Sequence, residues 1–116
     1  MSRKSINAQI IENLKSLGGM ELLTELHTVF IRTSIDLIKD IHIAISSNNA
    51  TLLQEKAHSL KSSSGNMGAL QLSEICMQLE KMGQTNSLDK VATLGQSLDS
   101  EFQQVSLELR EIVKGD

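Results

Sequence analysis

Five segments of this chain repeat apolar residues at intervals of three and four, the period of an α-helix. Ile6, Ile10, Leu14 and Leu17 form the first stripe. Gly18-Gly19 then ends or sharply bends it, because glycine supplies the left-handed conformation that closes helices. The second segment is long. Leu22, Leu26, Phe30, Thr33, Leu37, Ile41 and Ala44 make one stripe, with Ile31, Ile35, Ile38 and Ile45 beside it. Two stripes on one helix call for neighbours on two sides. "SSNN", Ser46 to Asn49, is a turn rich in capping residues. The third helix then carries Leu53, Ala57, Leu60 and Ser64 inward and closes at Gly68. Leu72, Ile75, Cys76, Leu79 and Met82 mark a fourth, and "GQTNS", Gly83 to Ser87, reads as a loop in which Asn86 or Ser87 could cap the next helix. Val91, Leu94, Leu98, Phe102, Val105, Leu109 and Ile112 give a fifth, close to a heptad. Short loops make sequential helices antiparallel. The expected fold is all-α: an antiparallel up-down four-helix bundle with an additional short N-terminal helix, one domain over residues 1–116.

Composition narrows the function classes. Only two of the 116 residues are aromatic, both Phe, and proline is absent, which favours a Leu/Ile helical core over strands. A net charge of −3, with acids and bases spread along the chain, argues against a nucleic-acid partner. The single cysteine, Cys76, excludes an internal disulfide framework and fits a reducing compartment. There is no signal-peptide core and no apolar run of membrane-spanning length, so a cytoplasmic module with no membrane association is expected. A monomer is the default. Met20, Met67, Met77 and Met82 read as core filler, and His27 and His42 as surface or core-edge residues.

The stretch "EKAHSLKSSSGNMGAL", Glu55 to Leu70, asks for more than packing. At about 100° per residue, Gln54, His58, Lys61, Ser62 and Gly65 share one stripe of the third helix, beside the apolar one. Beyond His58 the stripe shrinks to a hydroxymethyl group and then to nothing. Glycine inside a helix costs on the order of 1 kcal/mol relative to alanine. Removing bulk at that cost suggests that a large partner surface comes close to the imidazole. An imidazole near neutral pH is mostly uncharged, and its free nitrogen can attack an electrophile. Lys61, one turn on, places a positive charge near any anionic group the ring acquires. A phosphoryl group suits both, since its transfer relies on positioning and charge stabilisation.

These residues resemble the active-site signature of histidine-containing phosphotransfer (HPt) domains, His-x-Leu-Lys-Gly followed by Asn-apolar-Gly. The chain matches at His58, Leu60, Lys61, Asn66, Met67 and Gly68 and departs at Ser62, where the family has glycine. The likeness extends to the Gly18-Gly19 turn, the long second helix, "EICMQLEKMG" and the closing amphipathic helix. It implies a phosphorelay intermediate, in which His58 takes a phosphoryl group on Nε2 from a receiver-domain aspartate and passes it to another receiver. Response-regulator receivers and a hybrid sensor histidine kinase are the implied partners. The protein binds no cofactor itself, and Mg²⁺ comes with the receiver. By position on the next helix, Glu80 is a candidate for accepting from Nδ1–H of His58. Gln54, Ser62, Gly65 and Gln84 are candidates for partner docking, and Asn66 and Gly68 for structural roles at the turn. No metal site and no nucleotide motif is expected.

Other matches are isolated. "EKAH" has the Glu-x-x-His spacing of di-iron bundles but no second copy. "SLDK", Ser87 to Lys90, lacks the companion motifs of penicillin-binding enzymes. The alternative function is a helical interaction module that docks on receivers without transfer.

Overall fold

Four helices account for most of residues 5–114, the part of the chain that the computed structural model describes. They are α1 (Ala8–Ser46), α2 (Ala50–Asn66), α3 (Leu70–Thr85) and α4 (Val91–Lys114), and no strand occurs among the described residues. Asn7 and Asn49 start α1 and α2, each side-chain oxygen accepting from a backbone N–H three residues on, both at 3.0 Å. The first three helices end alike. Asn48, Gly68 and Asn86 adopt positive φ of 53°, 82° and 53°. The N–H of the residue after each returns to a carbonyl five residues back: Asn49 to Ala44, Ala69 to Ser64 and Ser87 to Met82.

A straight helix of 39 residues would be about 58 Å long, yet the whole molecule measures 44 Å along its longest axis. The bend at Gly18-Gly19 resolves the difference. Gly19 sits at φ 71°, ψ −167°, a backbone open essentially to glycine alone. The additional N-terminal helix is therefore the first arm of α1. Its start is tied across the bundle end: Asn7 N–H donates to Gly68 O at 2.8 Å, and the N–H groups of Ser5 and Ile6 donate to the Glu108 carboxylate of α4.

Consecutive helices run antiparallel. α1 packs on α2 and α4, α3 packs on α2 and α4, and the diagonal pairs do not approach one another. Leu23, Ile41, Leu53, Leu60, Leu72, Leu79, Leu98 and Leu109 are fully buried at the centre. The two aromatic rings of the chain meet there, Phe30 and Phe102 with centroids 6.5 Å apart.

Several local expectations are overturned. Ser34 rather than Thr33 enters the core, while Ile35 is exposed because neither of the two neighbours of α1 covers it. Leu17 is exposed at the bend, and Met77 is 46% exposed instead of filling the core. Residues 83–85 continue α3 instead of forming a loop, and Asn86 closes that helix rather than capping α4. His42 lies at the core edge, as expected, where its Nε2 is 2.8 Å from Asp99 Oδ1 and clasps α1 to α4.

Candidate functional site

Leu53, Ala57, Leu60 and Ser64 point α2 inward, so helical geometry turns His58 outward toward the α3 side. Its side chain is 60% exposed. On α3, burial of Leu72, Cys76, Leu79 and Gly83 carries Glu80 to the α2-facing edge, with its side chain 11% exposed. The two meet: His58 Nδ1 is 2.8 Å from Glu80 Oε2. A carboxylate only accepts, so the proton of a neutral ring resides on Nδ1, and Nε2 presents its lone pair to solvent. The other carboxylate oxygen, Oε1, lies 2.7 Å from Lys61 Nζ. One buried carboxylate thus holds both the imidazole and the ammonium.

The electrostatics follow from those contacts. The hydrogen bond from Lys61 is the main cause holding the Glu80 carboxyl below the usual carboxylate range; burial opposes it, and the His58 hydrogen bond reinforces it. Glu80 is therefore ionised at neutral pH. Beneath it, burial and the Glu80 charge push the Cys76 thiol up to about 12, which leaves it protonated and inert.

Two residues not singled out in the sequence fix this geometry. Gly83 lies where α3 touches the start of α2: a Cβ there would be 2.7 Å from Ala50 O and 2.8 Å from Gln54 N. Ser73 Oγ donates to the Lys61 carbonyl at 2.9 Å, bridging the same helices at Lys61 itself. Neither announces itself, since a glycine near a helix end reads as a terminator and a lone serine as a surface residue.

The remaining candidates spread around the ring. Gln54, Glu55, Ser59 and Glu80 line a shallow hollow with His58. Ser62 is exposed, and Gln84 is exposed one turn beyond Glu80. Gly65 is half-buried, and a Cβ on it would lie 3.6 Å from Ser73 Oγ, so it borders α3 rather than open solvent. Asn66 is exposed at the end of α2, where the turn is held by backbone bonds and not by its side chain. Gly68 supplies the left-handed residue. Among the described residues no group of three or more His, Cys, Asp or Glu side chains is placed to hold a metal ion. No helix among them is long and apolar enough to cross a membrane.

The comparisons with known proteins bear on the fold and the family. The crystal structure of histidine-containing phosphotransfer protein B (HptB) from Pseudomonas aeruginosa PAO1 matches with a TM-score of 0.92 over 99% of each chain, at 24% identity. That likeness speaks for the fold. No curated protein matches the chain in sequence. The family model described as "Hpt domain" matches residues 25–109, a span from the middle of α1 to the last turns of α4 that includes His58, Lys61 and Glu80. The chain belongs to the Hpt domain family, the histidine phosphotransfer proteins of phosphorelays.

Proposed function

We propose that His58 is the phosphoryl acceptor, with Nε2 attacking the aspartyl phosphate of a receiver domain and later returning the group to another receiver. One observation carries this reading: the exposed ring is anchored through Nδ1 by a buried carboxylate, which leaves Nε2 as the free nucleophile. In the forward step the N–P bond forms as the P–O bond to the aspartate breaks. The aspartate leaves as a carboxylate. No proton moves on His58, whose ring keeps its Nδ1–H and becomes cationic. Lys61 supplies positive charge to the phosphoryl oxygens, and Glu80 positions the ring.

Hpt domains work with response-regulator receivers. Here Gln54, Ser62 and Gln84 surround the docking face, Gly65 lets α3 pack close beside it, and Gly68 shapes its end, where Asn66 is exposed. A hybrid sensor kinase as donor, a monomeric state and a cytoplasmic location complete the proposal. The Mg²⁺ of the reaction belongs to the receiver. Both oxygens of the nearest buried carboxylate, Glu80, are already taken by His58 and Lys61.

The test is incubation with a phosphorylated receiver and Mg²⁺. An acid-labile, alkali-stable label should appear on the wild type and be absent from His58→Gln. A wild type that accepts nothing from a broad receiver panel, or a His58→Gln variant that binds receivers and keeps full signalling output, would overturn the reading in favour of a docking module.

A further inference from the structure

At rest Lys61 is already engaged. Its ammonium is bound to Glu80 Oε1, and Glu80 Oε2 is on Nδ1. The lone pairs of the two ring nitrogens point away from one another, so a phosphoryl group on Nε2 projects from the edge of the ring opposite Glu80. Resting on the reading of His58 as acceptor, we infer that Glu80 and the phosphoryl group compete for Lys61, which changes partners each time the group arrives or leaves.

The exchange is balanced in charge. Before transfer, Glu80 has the Lys61 ammonium as its counter-ion. Transfer turns the ring into a cation whose Nδ1–H still donates to Oε2, so Glu80 gains an imidazolium at the moment it gives up the ammonium. Lys61 is then free to meet the dianionic phosphoryl oxygens. Its side chain is about a third exposed, on a flexible four-carbon stem with three donors, so the swing breaks one charge-assisted hydrogen bond and displaces no core packing. When the group departs, the ring returns to neutrality and Glu80 recaptures Lys61. Glu80 is thus a positioning residue with two opposed effects on phosphohistidine: it stabilises the cationic ring and holds back the lysine.

The two effects separate in a double-mutant cycle. The share of phosphoryl held at equilibrium by the HPt protein against a receiver is measured for wild type, Lys61→Ala, Glu80→Gln and the double variant. If Lys61 must be released from Glu80, Lys61→Ala lowers that share severalfold more in the Glu80→Gln background than in the wild type. Equal effects in both backgrounds would mean that Lys61 and Glu80 act independently. A larger effect in the wild type would mean that Lys61 acts while still bound to Glu80. Either result overturns the exchange.

A second readout uses the isolated protein phosphorylated by phosphoramidate. The pH profile of phosphohistidine hydrolysis should break at lower pH in Glu80→Gln, where the ring loses its carboxylate partner. An unchanged profile would also count against the proposal, because Glu80 would then not be serving the phosphorylated ring. Should His58 acquire no phosphoryl from either donor, the acceptor reading itself fails and the exchange with it. Labelling of His58 without the predicted coupling defeats the exchange alone.

Discussion

Adding one methyl group at Gly83 tests whether helix spacing sets the chemistry of His58. A Cβ at this position would sit 2.7 Å from Ala50 O, 2.8 Å from Gln54 N and 3.0 Å from Gln54 Cα, all backbone atoms that no rotamer change can move. Reaching ordinary contact near 3.4 Å requires α2 and α3 to separate locally by roughly 0.7 Å. Overpacking of this kind costs about 1–3 kcal/mol, and the backbone character of the clash places it in the upper part of that range. Replacing glycine by alanine in a helix returns at most ~1 kcal/mol. Gly83→Ala should therefore destabilise the fold by about 1–2 kcal/mol, seen as a lower urea midpoint at unchanged slope.

The same shift reaches the site. Glu80 precedes Gly83 by one turn of α3, and His58 follows Gln54 by one turn of α2, so a spacing error at one contact is passed to the other. The 2.8 Å bond between His58 Nδ1 and Glu80 Oε2 would stretch to roughly 3.5 Å, beyond useful hydrogen bonding. Long-range ¹H–¹⁵N spectra should show a predominantly Nδ1–H tautomer in the wild type and mixed tautomers in Gly83→Ala, with slower phosphoryl acceptance. Gly65→Ala is the control on the facing helix. Its Cβ would meet only Ser73 Oγ, at 3.6 Å, so the helix-propensity gain of up to ~1 kcal/mol should survive. The reasoning is refuted if Gly83→Ala is as stable as Gly65→Ala and leaves the His58 ring unaltered.

Two further outcomes follow from the fold. Gly68 and Gly19 both have positive φ, but a Cβ at Gly68 would also press on Ile10 Cβ at 3.2 Å and Asn7 O at 3.3 Å, whereas Gly19 has nothing within 4 Å. The left-handed backbone term at Gly68 is about 1–2 kcal/mol, so thermal denaturation of Gly68→Ala should show a loss above that range; a loss confined to the backbone term would remove the claim that this turn seats the N-terminal arm. Burial, and secondarily the charge of Arg110, hold the His27 pKa below its ordinary 6.5. The unfolded chain then takes up a proton first, so this contribution to stability is full above the ordinary imidazole range and is lost as pH falls through it toward the folded-state value. His27→Gln should flatten the stability change between about pH 7.5 and 5.5; an unchanged slope in that variant would show that His27 is not its source.

How much of this was legible in the sequence depends on whether a contact lies within one helix or between two. The five apolar stripes gave the helices, because burial of one face is a property of a single segment. Ser34 replacing Thr33 and the exposure of Ile35 and Met77 depend instead on which neighbours each helix has, and here the diagonal pairs stay apart. The Gly18-Gly19 pair was legible as an end or a sharp bend, and the non-helical backbone at both residues makes it the bend between two helical arms. Positive φ at Asn86 shows why the sequence leaves the α3 end ambiguous. Asn suits both a helix start and a left-handed helix end, and only the return bonds to Gly83 and Met82 decide between them.

The site divides along the same line. His58 and Lys61 share a helix, so their relation follows from a 100° step. Lys61, however, goes to a carboxylate on the next helix, 19 residues away in sequence, and no intra-helical rule specifies that rotamer. The run from Ser62 to Gly65 shows the limit most plainly. Ser62 and Gly65, read as one bare strip, serve two surfaces, Ser62 facing solvent and Gly65 abutting α3, while Ser64 between them is fully buried as its place on the inner stripe requires. Consecutive helical residues must diverge in this way, so a cluster of small side chains reports several close approaches at once, and only the packing of α1 and α3 around it assigns each residue to its own.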